Sequence, residues 1–366
     1  MTVIASFVVN GCPVIIGDLL ISGTTDSEHT IHLPTIGSIE NIFTEGCEYV
    51  PTGLLQKVVV IDENLVIAWA GSVVGAKTAL SEIKLAHSRN RFTPDSLWQF
   101  IQEMENDPDY DEIALICMIG DGDKIDRFGL RATYLTLGSF EEIFVAGSGS
   151  ERFLRSLNQM NNKDLTKLDQ TAAAIAVAMN IFGFLLFDEM APPSEHGLHS
   201  LFEYFGSGYE IATFIERKIT KIDDIIFTFW LAEIVDEGAM LRLPPLRMYK
   251  YYYIDDCLYL YSLTLSIKSL SVDQSIPDEF DMKKEIYIIN SLSGRPVKVD
   301  NIHEPELRAK WNVSYVWLTK KDGTVQGVSR FDYRPDRDSP IKIKEDGIEL
   351  NKEMVDDLMS SLYLYK

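Results

Sequence analysis

The sequence predicts an α+β fold: two antiparallel sheets stacked face to face, helices on their outer faces, and a β-rich extension behind. Three observations lead there. The strand-like runs come in hairpins, which argues against a doubly wound parallel sheet. Strand pairs, two helices, strand pairs, two helices and a strand pair follow in that order. The runs at 58–61 and 65–70 are hydrophobic without a break, so their sheet needs cover on both faces.

Residues 2–9 and 13–21 read as apolar strands turned at Asn10-Gly11, a pair suited to a tight hairpin. From 22 to 53 the chain is polar and punctuated by Gly and Pro, predicting mostly irregular structure. A second hairpin, 57–61 with 65–70, turns around Asp62-Glu63-Asn64 and ends at Gly71. Ala76, Leu80, Ile83 and Leu85 give a helix over 75–87 its apolar side. Thr93 as N-cap and Pro94 at the first helical position open another, which stops before Pro108. Strands follow at 112–119, 127–137 and 142–146, the first two joined through Gly120-Asp121-Gly122-Asp123. Helices at 150–158 and 165–187, a Pro192-Pro193 insert, and strands near 208–217 and 223–232 complete a domain over 1–235.

The texture changes in the extension, 236–366. Tyr249, Tyr251, Tyr252, Tyr253, Tyr259 and Tyr261 crowd one region, with strand-like runs at 251–267 and 284–291. This pattern fits buried or edge strand better than a recognition surface. Hairpin turns are expected at Lys321-Asp322-Gly323 and Glu345-Asp346-Gly347, and a short helix near 351–362.

A formal charge of −21, spread along the 366 residues, argues against nucleic acid or an anionic membrane surface as partner. Cys12, Cys47, Cys117 and Cys257 have no paired or metal-like spacing, and no secretory segment precedes Thr2. Reduced thiols in a cytoplasm are the expectation. The uncharged run 170–187 is short for a membrane span, contains Asn180 and Gly183, and lacks basic flanks. A buried helix is expected there instead.

Thr2 opens the first strand. Removal of Met1 would leave a hydroxyl nucleophile and its own amine base on one residue. To attack an amide, such a residue needs a cation that lowers the hydroxyl pKa. It also needs a carboxylate to hold that cation, and a backbone N–H for the oxyanion. Asp18, after Gly17, is returned beside Thr2 by the first hairpin, and Lys57 heads the next apolar strand. Gly71 leaves a bare backbone at a strand end, and Ser148 lies in the turn Gly147-Ser148-Gly149-Ser150 that opens a helix. Taken singly, each fits a turn residue, a solvated strand start or a helix cap better than a catalytic role.

Together they resemble the proteasome-type N-terminal nucleophile hydrolases, the proteasome β subunits and the bacterial two-ring threonine peptidase. Met1-Thr2, Asn10-Gly11, Gly17-Asp18, Lys57, Ala70-Gly71 and Gly147 to Ser150 carry the likeness, over residues 2–235. Gly206-Ser207-Gly208 matches the family's later Ser-Gly-Gly loosely. The resemblance implies a four-layer αββα sandwich and assembly as a homo-oligomer, commonly a ring. It implies Thr2 as nucleophile and amine base, Lys57 as activating cation and Asp18 as its anchor. Gly71 would supply the oxyanion N–H and Ser148 a bond to the amine, with Ser150 and Ser207 as supporting candidates. No cofactor or metal is implied, the substrate is a peptide or amide, and no motif identifies an unfoldase partner. Two features depart from the family: the longer interval from Asp18 to Lys57, an insertion expected near the cleft, and the acidic residue before the later serine, where Glu203 is only near.

Two other readings share the scaffold: a catalytically silent subunit serving assembly or partner binding, and a non-peptide amidase. Asp121 to Asp126 faintly resembles a calcium loop but lacks its closing glutamate, so a hairpin turn is expected. The pairs His29/His32 and His196/His199 lie in loop-like segments with no cysteine or third histidine nearby.

Overall fold

Asn10 and Gly11 adopt φ of 52° and 79°, the left-handed pair that a two-residue hairpin requires. They join β1 (Ile4–Val9) to β2 (Cys12–Asp18) in the computed structural model. The structure describes residues 2–24, 31–39, 43, 48–138, 140–160, 168–190, 200–235, 238–267, 280–292, 305, 307, 309–333, 341–344 and 347–362. His29, Cys47, Pro192, Pro193, His196, His199 and the turn at Glu345-Asp346 lie outside the described residues.

The chain divides into two units, Met1–Ile222 with Ile289–Pro296, and Asp223–Ile288 with Val297–Lys366. In the first, β3 (Leu20–Thr24), β4 (His32–Leu33), β5 (Gly37–Ser38) and β6 (Tyr49–Leu54) follow the hairpin. β3 pairs with β6 and β4 with β5, so parts of the stretch expected to be irregular form two small ribbons. The second hairpin is β7 (Val58–Asp62) and β8 (Leu65–Gly71), and Asp62 Oδ1 closes its turn by accepting from Asn64 and Leu65 N–H. Ser72 caps α1 (Val73–Arg89), and a Thr93–Ser96 capping box starts α2 (Pro94–Glu105).

The expected strand 127–137 is in fact two. β9 (Ile113–Asp121) turns into β10 (Lys124–Leu130), then Arg131 at φ 49° sends the chain into β11 (Thr133–Leu137) and β12 (Phe140–Ala146). The apolar pattern runs through the corner, so periodicity alone does not reveal the change of sheet. α3 (Ser150–Gln159), α4 (Gln170–Met190), β13 (Tyr209–Ile215) and β14 (Lys218–Lys221) complete the unit.

One sheet has the order β11-β12-β1-β2-β13-β14 and the other β10-β9-β8-β7, with antiparallel neighbours. Ile4, Ile15, Ala146 and Ala212 of the first share one buried cluster with Val58, Val66, Ala68, Ile116 and Met118 of the second. On the other side of the second sheet, Leu65, Ile67, Trp69 and Leu115 pack against Ala76, Leu80, Ile83, Leu97 and Ile101 of α1 and α2. α4 lies on β1, β2 and β13 and is buried along most of its length, although it is long and apolar enough to cross a membrane.

In the second unit, β15 (Ile225–Val235), β16 (Gly238–Ile254), β17 (Cys257–Ile267), β18 (Phe280–Ile289), β19 (Trp311–Thr319) and β20 (Val325–Tyr333) form a sheet ordered β18-β17-β16-β15-β19-β20. β15 and β19 run parallel. The crowded tyrosines are strand residues, with Tyr249, Tyr251 and Tyr261 buried, and Asp255 at φ 53° breaks the run between β16 and β17. β21 (Ile341–Lys344) pairs with β22 (Gly347–Leu350), and α5 (Lys352–Leu362) sets Leu358 and Leu362 against Trp230, Val316 and Leu318.

The boundary therefore falls at 222/223 and not at 235/236. β13 is completed by the short β14, which leaves β15 to pair with strands far later in the chain. The return segment also belongs to the first unit, where Gln56 N donates to Asn290 O at 3.1 Å.

Candidate active site

Pairing of Ile4 with Gly17 brings the end of β2 back to the start of the chain. Asp18 N donates to Val3 O at 3.1 Å, and Val3 N to Asp18 Oδ1 at 2.9 Å. The carboxylate is wholly buried and held on both oxygens. Oδ2 accepts from Leu20 N (3.1 Å) and Gly206 N (3.0 Å), and Oδ1 from Thr2 Oγ1 and Lys57 Nζ (2.8 Å).

Lys57 stands just before β7. Glu210 of β13 grips its backbone, accepting from Lys57 N at 2.8 Å and Val58 N at 3.1 Å, while Lys221 Nζ neutralises Glu210 at 2.6 Å. Gly17 lets the two strands approach, since a Cβ there would lie 3.1 Å from Lys57 Cβ. The buried ammonium finds three acceptors: Thr2 Oγ1, Asp18 Oδ1 and Leu20 O at 2.5 Å. All three of its protons are thereby used. Burial lowers the Lys57 pKa, and the charges of Asp18 and Glu210 oppose that shift.

The opposite side of Thr2 is a glycine turn. Gly149 N donates to Thr2 O at 3.1 Å, and Thr2 N donates to Ser148 Oγ at 3.2 Å. Ser148 Oγ in turn donates to the Glu203 carbonyl. Gly147 has φ +97°, and a Cβ there would fall 2.1 Å from Thr2 O. Gly147→Ala should therefore cost at least about 2 kcal/mol and displace Thr2, read by chemical denaturation. An unchanged denaturation midpoint would show that the turn relaxes freely.

The other candidates fall elsewhere. Ser150 Oγ donates to Gly147 O at 2.6 Å and so braces the turn. Gly71 ends β8 at φ +97°, exposed, where a Cβ would lie 2.0 Å from Glu112 O. That position demands glycine, and it stands outside the Thr2–Asp18–Lys57 bonding cluster. Ser207, at φ +59°, donates N–H to Glu189 Oε2 at 2.9 Å. Glu203 sends its carboxylate to Arg152 at 2.9 Å and offers only its carbonyl to the Thr2 shell.

The Thr2 oxygen thus sits between a buried ammonium and the carboxylate that anchors it. The chain matches no protein-family model and no curated protein. The chemistry is read from the residues themselves.

Two buried carboxylates at this site escape a reading of sequence alone. Glu210 interrupts the apolar run Tyr209-Glu210-Ile211-Ala212, a signal that an in-strand carboxylate has a partner. Glu189 continues the buried row Phe182, Leu185, Leu186 at helical spacing. His32 is exposed on β4, and the described residues hold no metal-ligating group of three. Cys12, Cys117 and Cys257 are buried and form no disulfide among the described residues, and Asp121 to Asp126 turns β9 into β10.

Proposed function

We propose that this protein is a threonine-type amide hydrolase, a proteasome-like peptidase, in which Thr2 acts once the Met1–Thr2 bond is cleaved. The single observation that carries the reading is the Lys57 ammonium donating to Thr2 Oγ1 while salt-bridged to Asp18 at 2.8 Å. A buried cation on a hydroxyl oxygen favours the alkoxide. The freed amine, held by Ser148, takes the hydroxyl proton directly or through water as Oγ1 attacks the carbonyl carbon. That amine returns the proton to the leaving nitrogen when the C–N bond breaks, leaving an ester on Thr2. Water, giving a proton to the amine, then attacks the ester carbon. The bond to Oγ1 breaks, the acid product leaves, and the amine's proton restores the hydroxyl. Gly71 N–H is assigned to the oxyanion by the resemblance.

The helix contacts on both sheets and the cluster shared between them support a four-layer αββα arrangement. A homo-oligomer, possibly closed into a ring, and a cytoplasmic setting without cofactor belong to the same reading.

Intact mass of the native protein should show Met1 removed. An electrophilic threonine-directed probe should add one equivalent to the parent and none to Thr2→Ala. Retained Met1, or an adduct that persists in Thr2→Ala, overturns the proposal. Normal assembly without an adduct would assign the silent-subunit reading instead.

A further inference from the structure

Asp18 orients both Thr2 and Lys57, and it is itself held by a turn in an unfavourable conformation. Gly206 has φ +128° and Ser207, a residue with a side chain, φ +59°. The Gly206 N–H donates to Asp18 Oδ2 at 3.0 Å, beside Leu20 N–H at 3.1 Å. What keeps the turn in place is Glu189, beside the last residue of α4. Its oxygens accept the Ser207 N–H at 2.9 and 3.2 Å, and Oε1 also accepts from Ser207 Oγ at 3.3 Å. A Cβ on Gly206 would reach 2.4 Å from Glu189 Oε2, so the glycine exists to admit that carboxylate. Glu189 also accepts from Thr35 Oγ1, in the 31–39 segment that lies within the insertion between β2 and β7.

A carboxylate here is a poor choice for packing. Glu189 is wholly buried at a helix C-terminus, where the last carbonyls disfavour an anion, and its partners among the described residues are neutral donors. Burial pushes its pKa up to about 7, against the pull of the Thr35 and Ser207 bonds. The titratable groups around it are Asp18, with Lys57 beyond, and the Asp188–Arg152–Glu203 cluster at the same end of α4.

We infer that Glu189 is a positioning residue for the Thr2 site, clamping the Gly206–Ser207 turn so that Gly206 N–H fixes Asp18, and tying the 31–39 segment to the same turn. Its catalytic consequence rests on the hydrolase reading above. Ionised Glu189 offers acceptors to every donor on it, and protonation removes one.

The test uses the full chain, the threonine-directed probe, and the variants Glu189→Gln and Glu189→Asp. The maximal acylation rate at Thr2 should fall about 10²-fold in Glu189→Gln, with probe affinity near the parent value. Glu189→Asp, which keeps the acid but withdraws it by one methylene, should lie between. The parent's rate should decline as pH falls through both the Thr2 amine and Glu189, and in Glu189→Gln only the amine's step should remain. Packing alone would change the folded fraction and leave the profile of the folded enzyme intact. Amide hydrogen exchange gives a readout independent of turnover: Gly206 and Ser207 should exchange about tenfold faster in Glu189→Gln. No acylation of the parent would defeat the hydrolase reading and leave the clamp to be judged by exchange. Exchange unchanged in Glu189→Gln, or a rate and pH profile identical to the parent's in an active enzyme, overturns the inference.

Discussion

Lys57→Met should lose about 3–5 kcal/mol of stability and at least about 10³ of the acylation rate at Thr2. Met replaces most of the aliphatic stem, so packing changes little. The cost comes from Asp18, which remains buried with Thr2, Val3, Leu20 and Gly206 as donors but no cation. Adding Asp18→Asn removes that stranded charge. The double variant should regain about 2 kcal/mol or more over Lys57→Met, by chemical denaturation, while its acylation rate stays at the lower level. The two readouts separate what the pair does for the fold from what it does for the hydroxyl. Full labelling of Lys57→Met would mean that Thr2 needs no cation, and the proposed mechanism would fall. No recovery in the double variant would mean that the stability loss is steric.

Features set by neighbours along the chain are legible in the amino-acid order itself. Asn10-Gly11 announces its hairpin because few residues tolerate positive φ at both positions. Thr93-Pro94 announces α2 because a hydroxyl and a missing N–H suit the first turn. Thr2, Asp18, Lys57 and Ser148 can be picked out one by one as polar residues at the ends of apolar strands, where chemistry has access. That Lys57 Nζ meets Thr2 Oγ1 depends on strand β7 crossing β2 at Gly17, a contact between distant segments. The illegible parts are of the same nonlocal kind. β15 resembles a partner for β13 until its pairing with β16 and β19 is known, and the parallel pair with β19 joins residues 86 apart. Arg131 turns the chain from one sheet to another inside a continuous apolar pattern. Glu189 and Glu210 look like misplaced charges because their donors, Ser207 N–H and Lys57 N–H, come from remote backbone.

Stability should fall as pH rises from about 4.5 to about 7, and Glu189→Gln should abolish that part of the slope. The folded protein holds the Glu189 proton up to about 7, whereas the unfolded chain releases it near 4.5. The native state thus binds more protons across this window, so its advantage is complete below the lower value and lost through the upper one. The shift corresponds to about 3 kcal/mol. Asp188, whose pKa burial also raises, slopes the same way, but it is present in both proteins and cancels in their difference. Denaturation of parent and Glu189→Gln at pH 5 and 7.5 measures that difference. Glutamine should gain on the parent by most of this amount at the higher pH, and equal slopes would mean the carboxylate is not desolvated. The same substitution is expected to slow Thr2. A residue kept for packing would not become a liability at the pH where its ionised form serves the site. One that positions Asp18 would, because an active site commonly retains groups that cost the fold stability.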